Sequence, residues 1–75
     1  MRDSFGMWLQ QQREKLGISQ AELARLAGLN RAVVNKMENN ATKPEAETLL
    51  ATSRALKLPP ETVFRAAGLL PPKPE

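Results

Sequence analysis

Apolar residues recur along this chain at the three- and four-residue spacing of helices, and each break in the pattern falls at a residue that caps or ends one. Phe5, Leu9 and Leu16 mark one side of a first helix, flanked by Trp8 and Arg13, with Asp3 or Ser4 available to cap its start. Gly17 closes that helix, and Ile18 stands as an apolar staple before a second N-cap at Ser19. In the run SQAE, Glu22 follows Ser19 by three, the spacing of a capping box in which each side chain satisfies a backbone amide of the other. Leu23, Ala24 and Ala27 form the buried side of this second helix, and Gly28 turns the chain where a left-handed residue is needed. Asn30 then caps a third helix that divides cleanly at about 100° per residue. Val33, Val34 and Met37 share one face; Arg31, Ala32, Asn35, Lys36 and Asn39 share the other.

A fourth helix begins near Glu45 and Ala46, with Glu45 and Glu47 placed in its positive first turn. Its apolar stripe reads Ala46, Leu49, Leu50, Ser53 and Leu56, inert side chains that make a core face. Leu58-Pro59-Pro60 breaks the pattern, and Pro60 suits the first position of a fifth helix carrying Val63, Phe64 and Ala67 up to Gly68. The predicted fold is all-α, a compact five-helix bundle over residues 1–68, followed by an extended Pro-rich tail over 69–75. Leu69 and Leu70 either cover the core or continue an apolar surface with Val63 and Phe64.

The polar face of the third helix is the functional clue. Arginine, lysine and two asparagines are the donors and amides that read base edges in a major groove, although most polar helix faces are only solvated. The capped helix before it, the hinge at Gly28 and the small apolar residues at the crossing favour the reading face. Together these residues resemble the helix-turn-helix of the Cro and phage-repressor family. Gln20 stands where that family has the glutamine opening its first motif helix, Leu23 and Ala24 match its apolar-alanine pair, and Gly28 matches its turn glycine. Val34 and Met37 match the apolar anchors of its recognition helix, and MEN, KP, ETLL and AL continue the likeness. The resemblance covers about Phe5 to Gly68.

It implies a lambda-repressor-like fold whose helices two and three form the motif, with residues 30–39 entering the major groove of double-stranded DNA. Arg31 would grip guanine O6 and N7, Asn35 adenine N6 and N7, and Ala32 a thymine methyl. Lys36 would reach a base or a phosphate, Gln20 a phosphate beside the first amides of its helix, and Asn30, Asn39 and Lys43 would position the domain on the backbone. Relatives often carry glutamine where Arg31 stands, so their base preference does not transfer. Asn40 falls where the family commonly has glycine in a left-handed turn, which asparagine tolerates. The likeness also implies an ion pair of Arg13 with Glu38 beneath the recognition helix, because a partly buried charge needs a partner.

Composition narrows the remaining choices. The chain has 75 residues, enough for one domain with a small core. With no cysteine and no histidine, thiolate, imidazole and disulfide chemistry are excluded together. The carboxylates stand singly on helices and no glycine-rich phosphate loop occurs, so neither catalysis, a metal nor a cofactor is expected. No run is apolar and long enough for a membrane span, and residues 1–16 lack a signal-peptide pattern; the expectation is a soluble, cytoplasmic protein of a bacterium or an infecting phage. The net charge of +3 suits a phosphate-bearing partner without demanding one. A single domain reads too short a site for discrimination, so a homodimer on a near-palindromic operator is expected, with helix five as its interface. The predicted function is sequence-specific transcriptional regulation, as a repressor. Two alternatives stay open: an antitoxin-like half of a complex, gripping a second protein through helix five or the tail, and a protein-interaction domain that no longer reads DNA.

Overall fold

The computed structural model describes residues 4–69, within which five helices form and no strand does. They are α1 (Phe5–Lys15), α2 (Gln20–Ala27), α3 (Arg31–Glu38), α4 (Ala46–Leu56) and α5 (Pro60–Ala66). The starts follow the caps. The Ser4 hydroxyl accepts from the Met7 amide, the Ser19 hydroxyl from the Glu22 amide, and the Asn30 side chain from the Ala32 amide. Asp3, the other candidate cap, lies outside the described residues, as do 70–75 of the tail. Pro60 opens α5 at a position where its missing N–H loses nothing. The capping box of α2 is only half formed, because the Glu22 carboxylate leans along the helix to within 3.8 Å of Arg25 rather than back toward Ser19.

Gly28 ends α2 at φ 68°, ψ 30°, and its left-handed turn brings the Leu29 amide back onto the Ala24 carbonyl at 2.8 Å. That turn sets α3 against α2. Leu9, Leu23, Ala24, Val34, Met37, Ala55 and Leu56 then close into one core, with α1 packed on α3, α2 on α3 and α4, and α5 on α4 through the buried Val63.

Two expectations about the core are corrected. Leu16 is 46% exposed: α1 stops at Lys15 with Leu16 as its C-cap, and the half-buried Ile18 after the turn packs on the core instead. On α4 the buried stripe is Leu49, Thr52, Ser53, Ala55 and Leu56, whereas Ala46 and Leu50 are exposed. The helix is turned so that two hydroxyls face inward, and it satisfies them itself. Thr52 donates to the Thr48 carbonyl and Ser53 to the Leu50 carbonyl, each at 2.7 Å, so neither is left as an unpaired buried group.

Where α1 crosses α3 the backbones nearly touch. A Cβ built on Gly6 would lie 2.2 Å from the Glu38 carbonyl oxygen and 2.8 Å from that of Met37. The crossing admits glycine alone. Beside it, Asn40 takes the left-handed conformation at φ 56° and adds a tie: its Oδ1 accepts from the Gly6 amide at 2.9 Å, and its Nδ2 donates to the Ser4 hydroxyl at 3.0 Å.

Candidate nucleic-acid interface

α3 is short, eight residues, and its two faces differ completely in exposure. Val34 and Met37 are 0% and 1% exposed, and Val33 packs half-buried beside them. Arg31, Ala32, Asn35, Lys36 and Asn39 are all exposed. Arg31, Asn35 and Asn39 form one row at four-residue spacing, with Ala32 and Lys36 alongside. Within the row, Asn39 Nδ2 donates to Asn35 Oδ1. Arg31 makes no side-chain hydrogen bond or ion pair among the described residues, which leaves its guanidinium available as a two-pronged donor.

A buried ion pair fixes the helix from below. Arg13 Nε donates to Glu38 Oε2 at 2.7 Å and Nη2 to Oε1 at 3.2 Å, while Nη1 donates to the Ile18 carbonyl at 2.9 Å. The two side chains are 14% and 5% exposed. The guanidinium pKa is raised above its ordinary value, chiefly by the hydrogen bond to Glu38, with burial opposing. Gln20 joins the pair, its Nε2 donating to Glu38 Oε1 at 3.0 Å. One carboxylate therefore holds α1, α2 and α3 together.

The amides of Gln20 and Ala21 open α2 without intrahelical acceptors, as the first turn of any helix does. Gln20 itself is half-buried. Only the second N–H of its committed amide nitrogen remains for an anion. Asn30 is likewise committed, as the cap of α3, and Lys43 is exposed on the loop that leads into α4.

The helix-turn-helix family model matches residues 9–63, which contain the whole of α2, the Gly28 turn and α3. The chain belongs to the helix-turn-helix family. It is 33% identical over 61 residues to the repressor protein C2 of Salmonella phage P22, covering 81% of this chain and 28% of that protein. An uncharacterised helix-turn-helix-type transcriptional regulator of Mycobacterium tuberculosis is 30% identical over 67 residues, covering 89% of this chain and 48% of the regulator. The chain thus spans about half the length, or less, of these curated relatives. Among solved structures, the P22 c2 repressor in complex with a synthetic operator superposes with a TM-score of 0.78 at 31% identity, covering 87% of this chain and 98% of that one. The restriction-modification controller protein of Aeromonas hydrophila superposes with a TM-score of 0.76 at 33% identity, covering 80% and 91%. The fold is therefore the lambda-repressor-like one.

Three features of the site go beyond the sequence reading. The Asn35–Asn39 hydrogen bond was readable in principle from the four-residue spacing of two amides. The Gln20–Glu38 bond and the Asn40 tie were not, since each joins residues brought together only by the helix crossings. Where the end of α5 meets the loop that follows α3, Leu69 is 56% exposed beside a cleft of about 350 Å³ lined by Phe5, Asn40, Thr42, Lys43, Pro44 and Ala67.

Proposed function

We propose that this chain is a transcriptional regulator, acting as a repressor, that binds double-stranded DNA by laying α3 in the major groove. The observation that carries the reading is the exposed row of donors and amides on a helix whose opposite face, the buried Val34 and Met37 with the half-buried Val33, packs on the core. Such a face can be pressed against base edges without disturbing the core. Arg31 and Asn35 read bases, Ala32 meets a thymine methyl, and Lys36 reaches a base or a phosphate. The first amides of α2 with Gln20, the Asn30 end of α3, Asn39 and Lys43 set the register on the backbone. The family supports this, as does the similar P22 repressor, which was solved on operator DNA.

On this reading the protein works by binding alone, in the cytoplasm, as expected of a regulator of this family. Residues 1–68 are the DNA-binding unit and 69–75 a Pro-rich tail. Two copies bind a near-palindromic operator, because one α3 contacts only a half-site. The dimer contact lies on the α5 side, where Leu69 is exposed.

The test is selection from a random double-stranded DNA library by the purified protein at physiological salt, where nonspecific electrostatic binding is weak. An enriched inverted repeat is expected. A folded protein that enriches nothing would refute the reading.

A further inference from the structure

We infer that Asn39 sets the base preference of Asn35 by fixing which way its amide points. The inference rests on the proposal that Asn35 faces a base pair. An asparagine amide has an acceptor side and a donor side, and half a turn about χ2 exchanges them. Adenine shows the major groove an acceptor, N7, and a donor, N6; thymine shows an acceptor, O4, and a methyl group. At a given position, one orientation of the amide pairs both its atoms with adenine. The reverse orientation can only donate to thymine O4, with its oxygen set against the methyl. An asparagine alone on a solvated helix samples both and discriminates poorly.

Asn35 is not alone, because Asn39 Nδ2 donates to its Oδ1 from one turn further along α3. Asn39 in turn has reason to present its nitrogen. It is the C-cap of the helix, beside the last carbonyl oxygens and the negative end of the helix dipole, where a donor is favoured over an acceptor. The end of the helix thus orients Asn39, and Asn39 orients Asn35. The Asn35 oxygen is drawn toward the C-terminal end, and its nitrogen is turned toward the half of the helix that carries Arg31. Asn39 is a positioning residue in this scheme, in addition to any contact of its own with the backbone.

The experiment compares the base ratio at the operator position governed by residue 35 in the parent chain and in three variants, using the same library selection. Asn35→Ala identifies the position by flattening its preference. Asn39→Ala should lower the preference there by about fivefold, the ratio that one hydrogen bond of ordinary strength maintains between two orientations, and alter that position more than any other. Asn39→Asp is the sharper variant. A carboxylate only accepts, so it should draw the Asn35 nitrogen toward residue 39 and turn the oxygen outward, shifting the preference between adenine and thymine. Added negative charge will weaken binding to every sequence, which is why the base ratio is read rather than affinity. Melting curves near that of the parent confirm that each variant folds. If Asn35→Ala flattens one position and both Asn39 variants leave it unaltered, the inference falls while the DNA-reading proposal stands. If a site is enriched but Asn35→Ala changes no position, the inference falls with its premise. If the parent protein enriches no site, both fall.

Discussion

Gly6 offers the most severe test of the packing. Replacing it by alanine adds one methyl group where the built Cβ meets the Glu38 carbonyl oxygen at 2.2 Å, its carbon at 2.7 Å and the Met37 carbonyl oxygen at 2.8 Å. All three are backbone atoms and cannot swing aside. Ordinary contact begins near 3.4 Å, so α1 and α3 must separate by about 1.2 Å. Overpacking of this kind costs about 1–3 kcal/mol, and with no flexible neighbour the upper end applies. Alanine is the better helix former by roughly 0.5–1 kcal/mol, which offsets part of that. The net loss should be about 2 kcal/mol, or a fall in Tm of roughly 10 °C for a domain of this size. Urea denaturation of Gly6→Ala beside the parent reads the difference directly. Gln11→Ala, exposed on the same helix, serves as the control and should be near neutral. If Gly6→Ala is as stable as the parent or more so, helix propensity governs the site and the close crossing is refuted.

Arg13→Ala leaves the Glu38 carboxylate buried with Gln20 as its remaining donor and should destabilise by about 3–5 kcal/mol, measured by denaturant unfolding; an Arg13→Leu, Glu38→Leu double variant should lose much less. Lys57 holds a left-handed conformation at φ 59° where α4 meets α5, so Lys57→Gly should raise stability by up to about 1 kcal/mol in the same assay. On a selected operator, Arg31→Ala should lose about 1–3 kcal/mol at one base position only. Lys43→Ala should weaken all sequences alike and reduce the slope of log K against log salt by about one. Equal losses for Arg31→Ala on matched and scrambled sites would contradict its role.

What was legible in the chain and what was not divides along physical lines. Ser4, Ser19, Asn30 and Pro60 act within three residues of themselves, so the starts of α1, α2, α3 and α5 could be placed from sequence. The Arg13–Glu38 pair came from family likeness rather than from spacing, since the two residues are 25 apart. On α4 two stripes were compatible with helical periodicity. The one read from the chain runs through Leu50 and is the more apolar, but the helix packs on α2 and α5 with Thr52 inward, where its hydroxyl finds a carbonyl in its own helix. Gly6 carried no signal at all. A glycine near a helix start reads as a weak helix position, and only the distance to the Glu38 carbonyl shows that no other residue fits. At the interface, the exposed face of α3 could be read in full, whereas the involvement of Gln20 with Glu38 depended on the angle between helices.

The separation of the two faces of α3 bears on how such a protein can change over time. Stability resides in Val34, Met37 and the carboxylate of Glu38; the side chains at 31, 32 and 36 are exposed and stand outside the core. Those positions are free to mutate at little thermodynamic penalty, so a lineage can drift from one operator to another through intermediates that all remain folded. Gln20 and Asn39 are less free, being tied to Glu38 and Asn35, and would have to change together with their partners. The chain thereby behaves as a fixed scaffold carrying a short, replaceable address.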